Sequence, residues 1–276
     1  MRLLKYLILL CFVVFALTPI FVMISNSLKT LTEIGENPLG VPRRIDFTNY
    51  PTAWVQGKFA VTMRNSLILC IGTVLGVLIL GGFAAFSLAK LPLPKYVPGI
   101  LLVYFLVVST LPIQLFLVPL FILWRRLGLI NTHIGVIIIY IATNAPFSIF
   151  LLRSYLLGMP VAFLDAARIE GANELSIYFK IIIPVSWPIF LTVGLIVATN
   201  VWNEFIIATT FLQKENVFTV VTSYYAFQAR YGSVEWNLTS AAGIMMMLPV
   251  VTLFLLLQRR FIQGFIQGLT QGAIKG

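Results

Sequence analysis

The chain has 276 residues, of which 59% are hydrophobic and 10% charged, with a formal net charge of +10 and a mean hydropathy of +0.98. Its repeated apolar runs are long enough to cross a hydrocarbon core about 30 Å thick, which takes about 20 helical residues, and this excludes a soluble globular domain. They are also too long for the ~10-residue alternating strands of a β-barrel, so the chain reads as an all-α polytopic membrane protein.

The first run, Tyr6 to Leu28, stands behind Arg2 and Lys5 much as a secretory leader would. It stays apolar without a small-x-small cleavage pattern before Lys29, so it is expected to be a retained first helix. A segment from Lys29 to Arg64, with Pro38, Pro42, Pro51 and mixed charges, leads to the second run, Ser66 to Leu88. Cys11 and Cys70 both fall inside runs and read as small apolar residues. With His133 the single histidine, no cysteine–histidine metal cluster is expected.

The third and fourth runs are Val97 to Leu123 and Ile134 to Leu152. Pro112, Pro119, Asn144-Ala145-Pro146 and, further on, Pro249 are given no role, because membrane helices tolerate proline where neighbours satisfy the freed carbonyls. The fifth and sixth runs are Trp187 to Leu212 and Ser240 to Leu257. Between them, 213–238 holds Tyr224, Tyr225, Phe227, Tyr231 and Trp236, a set that suits either a docking surface or an interfacial aromatic belt. Asn237-Leu238-Thr239 matches a glycosylation acceptor, but the motif is too short to carry a role.

With the N-terminus inside, the inner segments carry ten basic and three acidic residues, net +7, against nine and, counting Glu204 with them, six outside, net +3. The bias places both termini in the cytoplasm, although Arg125 and Arg126 then lie outside. This topology accounts for the basicity, and nucleic-acid binding is not expected.

One inner segment is unlike its surroundings: Asp165, Arg168, Glu170, Glu174 and Lys180 cluster between the fourth and fifth runs. Pro160 precedes the stretch, and Pro184 and Pro188 close it. An unbroken helix would set Glu170 against Glu174 at i, i+4, a repulsion that a break at Gly171 removes. Ala172, Leu175, Phe179 and Ile182 then mark one apolar face of a second short helix. Ala166 and Ala167 are small enough to let another surface approach the backbone. Helix, glycine turn and amphipathic helix suit a protein-docking loop, or equally a helix lying in the lipid headgroups.

The stretch resembles the cytoplasmic "EAA" loop of type I binding-protein-dependent ABC importer permeases. That pattern is Glu-Ala-Ala, a glycine four residues on, then Ile-x-Leu-Pro; here it reads Asp165-Ala166-Ala167, Gly171 and Ile181-Ile182-Ile183-Pro184, with Asp165 and Ile183 as conservative departures. "LGLINT" (Leu127 to Thr132), "VWNEF" (Val201 to Phe205) and a C-terminal "GLTQGAIKG" are similar to the maltose-type carbohydrate branch. The resemblance implies the six-helix permease fold, with residues 1–63 as first helix and outer loop, 64–258 as permease core with a coupling loop at 160–186, and 259–276 as a cytoplasmic tail. It implies an ABC ATPase dimer gripping Asp165, Ala166, Ala167, Arg168, Glu170, Gly171, Ala172, Leu175, Phe179, Ile181, Ile183 and Pro184. It also implies a second, related permease subunit, an extracytoplasmic solute-binding protein facing the outer segments, and a sugar or oligosaccharide as cargo. A polyol, a glycerol phosphate or an amino acid is the alternative. The chain has no G-x-x-x-x-G-K-[ST] loop, so ATP and Mg are expected on the ATPase subunits, with no cofactor bound here.

Gly264, Gly268, Gly272 and Gly276 recur every four residues, each interior glycine costing a helix about 1 kcal/mol. In maltose-type relatives the tail reaches the ATPase, which points to Gln267, Gly268, Gln271 and Gly272 as contacts. Within the fifth run, Asn200, Trp202, Asn203 and Glu204 are a candidate solute path, because polar groups are costly toward lipid. The other possibility is bonding across to neighbouring helices. An autonomous carrier or channel would be expected to hold several charges within its spans, whereas Glu204 is the only acid placed there.

Overall fold

The computed structural model describes residues 2–232 and 234–273, with side chains for 4–232 and 234–258. No strand occurs among the described residues. Fourteen α-helices follow in order: α1 Arg2–Ser27, α2 Leu31–Glu36, α3 Asn49–Gln56, α4 Phe59–Lys90, α5 Tyr96–Thr110, α6 Leu117–Arg126, α7 His133–Leu157, α8 Ala162–Ile169, α9 Glu174–Ile177, α10 Ile183–Val185, α11 Trp187–Asn203, α12 Ile206–Phe211, α13 Val220–Tyr231 and α14 Trp236–Ala273. Among the described residues, four helices are individually long and apolar enough to cross a membrane, and taking each of two bent pairs as one span gives up to six.

The first bend lies inside a run expected to be straight, and the second at the proline boundary expected to close the polar stretch. The third run turns by 84° between α5 and the segment that continues into α6. Its cause is Pro112, which drives the preceding Leu111 into extended backbone, at ψ 123°. The second bend, 80°, separates Glu174–Val185 from α11 at Ser186, where Pro184 and Pro188 cannot supply helical N–H groups. The fifth run is also interrupted: α11 stops at Glu204, which is extended at ψ 129°, and the chain resumes as α12.

Two units make up the chain. The first comprises residues 1–64 and 218–251. In it, Lys29 is fully buried, its Nζ donating to Asn26 Oδ1 at 3.1 Å and to the Asn37 carbonyl at 2.8 Å. Asn49 donates to the Ser27 and Lys29 carbonyls and accepts from Asn237 Nδ2 at 2.7 Å. Ser223 Oγ reaches the Gly57 carbonyl. These bonds satisfy the Ser27, Lys29, Asn37 and Gly57 carbonyls at helix ends and in the connections between helices.

The second unit comprises 65–217 and 252–276. Its α7 packs against α5, α11 and α12. Gly72 and Gly76 on α4 let α7 come close, since a Cβ at either would meet Ile137 or Ile141, the small-xxx-small device of membrane helices. The tail residues Gln267, Gly268, Gln271 and Gly272 continue α14; their side chains, and Gly276, lie outside the described residues.

Candidate coupling loop and polar track

The segment between α7 and α11 is a built hairpin. Helix α8 ends in a Schellman closure: Gly171, at φ +84°, donates to the Arg168 carbonyl at 3.0 Å, and Ala172 donates to the Ala167 carbonyl at 3.0 Å. This left-handed backbone is why glycine stands there. Two residues on, Asn173 caps α9, its Oδ1 accepting from Ser176 N at 2.8 Å. Arg168 ties the two helices together, donating from Nε and Nη2 to the two oxygens of Glu174 at 2.9 and 3.3 Å and from Nη1 to Asp165 at 3.2 Å. These bonds, Glu174 first, push the Arg168 pKa up from its ordinary value, so the clamp stays charged.

The proposed apolar face needs correction. Leu175 and Phe179 are exposed, at 60% and 56%, and Ala172 is half-buried, while Ile182 is fully buried with Ile177 and Tyr178. The register shifts because Tyr178–Ile182 is a π-helical turn, whose extra residue per turn rotates Ile182 away from Leu175 and Phe179. Ala166 is exposed, but Ala167 is buried within the chain. Asp165 and Glu170 are exposed as well. The hairpin therefore has two apolar sides. The inward one is Leu164, Ala167, Ile177, Tyr178 and Ile182. On the outer one Phe163, Ile169, Leu175 and Phe179 stay exposed, Ile169 at 87%.

The inward side is joined to the spans by groups that the sequence reading missed. Tyr178 stacks on Phe83 at 4.4 Å and lies 5.5 Å from Phe86, both on α4. Gly82 makes room for it, since a Cβ there would collide with Tyr178 Oη. Lys90 Nζ donates to the Met159 carbonyl at 2.7 Å, and Arg153 Nε to the Leu88 carbonyl at 3.2 Å. The Lys90 bond ties the entry to the hairpin to the end of α4, and the Arg153 bond ties α7 to the same end. Ile181 and Ile183 are half-buried, and Pro184 is exposed.

The four candidate path residues do not form one site. Trp202 is buried. Asn200 and Asn203 are exposed, and Asn200 Nδ2 donates to Asn144 Oδ1 on α7 at 3.2 Å. Glu204 sits in the break with its carboxylate engaged inside the chain: Oε1 accepts from Ile207 N at 2.8 Å, and Oε2 from Ala208 N at 2.9 Å and Tyr140 Oη at 2.7 Å. The far end of α12 is held by Asn131 of "LGLINT", in left-handed backbone at φ 61°. Its N–H donates to the Phe211 carbonyl at 2.8 Å, and its Oδ1 accepts from Gln213 N and Lys214 N. Thr132 caps α7 beside it.

An all-helical fold of bent spans, with a hairpin packed on α4 and an apolar run broken at Glu204, fits a membrane component of a transport machine. The chain belongs to the binding-protein-dependent transport system inner membrane component family, whose pattern matches residues 77–267. It is 32% identical over 261 residues to the melibiose/raffinose/stachyose import permease protein MelC of Bacillus subtilis, covering 94% of this chain and 91% of that protein. To the diacetylchitobiose uptake system permease protein NgcG of Streptomyces coelicolor it is 29% identical, covering 92% and 84%. Its fold matches a chain of a bacterial ABC transporter involved in the import of the acidic polysaccharide alginate, with a TM-score of 0.77, 24% identity and coverage of 94% and 96%.

Proposed function

We propose that this chain is a permease subunit of an ATP-driven importer for a sugar or oligosaccharide. The hairpin at 162–185 serves as the handle for a separate ATPase dimer. The observation that carries this reading is the two-sided hairpin: an outer apolar side on which Phe163, Ile169, Leu175 and Phe179 stay largely exposed, and an inner side stacked on α4 through Tyr178 and Phe83. A partner holding Ile169, Leu175 and Phe179 would move α4 along with the hairpin, because Tyr178 stacks on Phe83 and Lys90 holds the Met159 carbonyl at the hairpin's entry.

Asp165, Ala166, Glu170 and Gly171 complete the handle, with Ala172, Ile181, Ile183 and Pro184 behind them. Arg168 and Ala167 act from within as braces. Residues 4–21 of α1 are all exposed and α5 buries no residue, which suits lipid on some faces and a second, related permease on others. The outer segments 29–64 and 213–238 are assigned to a solute-binding protein, and both termini to the cytoplasm. Sugar as cargo rests on the import systems named for the relatives. ATP and Mg belong to the ATPase subunits.

The test is uptake into proteoliposomes holding this chain with its partner permease and ATPase, supplied with the binding protein and its sugar. ATP-dependent accumulation is expected. Accumulation that persists without the ATPase, or a binding protein that retains only amino acids, would overturn the reading.

A further inference from the structure

The break at Glu204 is costly by itself, since unwound backbone at membrane depth is tolerated only where protein or a watery cavity satisfies it. Here the chain's own carboxylate takes the Ile207 and Ala208 N–H groups, and Tyr140 fixes that carboxylate from α7. No acceptor oxygen of Glu204 is without a donor from the protein. What stays exposed around the break is uncharged: Thr143 on α7, Asn200 and Asn203 on α11 and Thr209 on α12, with half-buried Asn144 bonded to Asn200. Residues 134–152 and 187–212 contain no other charged side chain. Amides facing lipid would be unfavourable, so this side faces water or a polar partner surface.

We infer that Glu204 is a positioning residue and not a solute ligand, and that the solute-facing surface of this subunit is a charge-free track of amides and hydroxyls fitted to an uncharged, hydroxyl-rich solute. The inference rests on the importer reading above and sharpens its substrate class. Glu204 sets the angle at which α12 leaves α11, and so the spacing of Asn203 from Thr209. Asn131 holds the other end of α12, so a change at position 204 moves Thr209 relative to a fixed anchor.

The test uses the reconstituted complex with Cys11 and Cys70 replaced by serine and a single cysteine at Asn203→Cys or Thr209→Cys. It is probed with a cationic and an anionic water-soluble methanethiosulfonate, each rate being normalised to a free thiol. Both positions should react, with cationic and anionic rates alike. Glu204→Gln replaces an acceptor oxygen with a donor. It should shift the labelling of Thr209→Cys by about three- to tenfold, the size of one lost hydrogen bond, and equally for both reagents. Tyr140→Phe, which removes only one bond to the carboxylate, should shift it in the same direction by less. A cationic preference that Glu204→Gln abolishes would place the carboxylate in the path and overturn the proposal, while leaving ATP-driven uptake intact. No reaction at either position would overturn the track itself. An absence of ATP-driven uptake with labelling as predicted would count against the importer reading alone.

Discussion

Replacing Gly171 separates what the hairpin needs for itself from what a partner demands of it. The residue sits at φ +84°, and a Cβ built there meets nothing within 4 Å. For this chain alone, Gly171→Ala therefore costs only the left-handed backbone penalty, about 1–2 kcal/mol. Gly171→Leu starts from the same open Cβ position and should cost about the same. A loss of that size corresponds to a shift in melting temperature of only a few degrees for a chain of this size. If an ATPase closes over the Schellman turn, the same side chains meet its surface. The two variants should then be inserted and nearly as stable as wild type, while ATP-coupled uptake falls steeply and more for leucine than for alanine. The assay pairs thermal unfolding of the isolated subunit with uptake by the assembled complex. Uptake close to wild type for Gly171→Leu would refute docking at the turn, and a collapse in subunit stability would refute the open space around it.

Further outcomes follow from the same contacts. Gly82→Ala drives a methyl into Tyr178 Oη and should cost about 1–3 kcal/mol by overpacking. Tyr178→Phe removes the obstructing atom, so the double variant should recover part of that loss in a double-mutant cycle. Lys29→Met should destabilise the 29–40 segment by about 1–3 kcal/mol, through two lost charge-assisted bonds, read as faster amide exchange at Glu33 to Gly40. Asp46, held below its ordinary pKa first by the Thr48 hydroxyl and then by the Thr48 N–H, should keep the start of α3 ordered above the ordinary aspartate pKa of about 3.9. A depressed folded pKa gives a stabilisation that is lost as pH falls through it, so exchange near Thr48 should rise below about pH 4, and Asp46→Asn should remove that dependence.

The sequence was most legible where one residue type has a single backbone use. Gly171 announced its turn, and the apolar runs announced the spans. The bend at Pro112 carried a visible signal in the proline, but the reading gave it no role. The break at Glu204 had no breaker residue to reveal it; its cause is a carboxylate reaching Ile207, Ala208 and Tyr140, the last 64 positions away in sequence. Periodicity likewise could not foresee the π turn at Tyr178–Ile182, and so grouped buried Ile182 with exposed Leu175 and Phe179. Asn173 did carry a readable signal, an Asn-x-x-Ser cap after a glycine stop. Arg168 was legible as part of the loop but not as its internal clamp, because which charge it pairs with depends on the fold across Gly171.

The account turns on whether the outer side of the hairpin is held by another protein. The direct measurement is thiol labelling of Ile169→Cys, in the chain lacking Cys11 and Cys70, within the purified complex and again after the ATPase has been stripped away. Protection in the complex and rapid labelling of the stripped subunit are predicted. Equal labelling in both states would contradict the assignment of the hairpin as the coupling element.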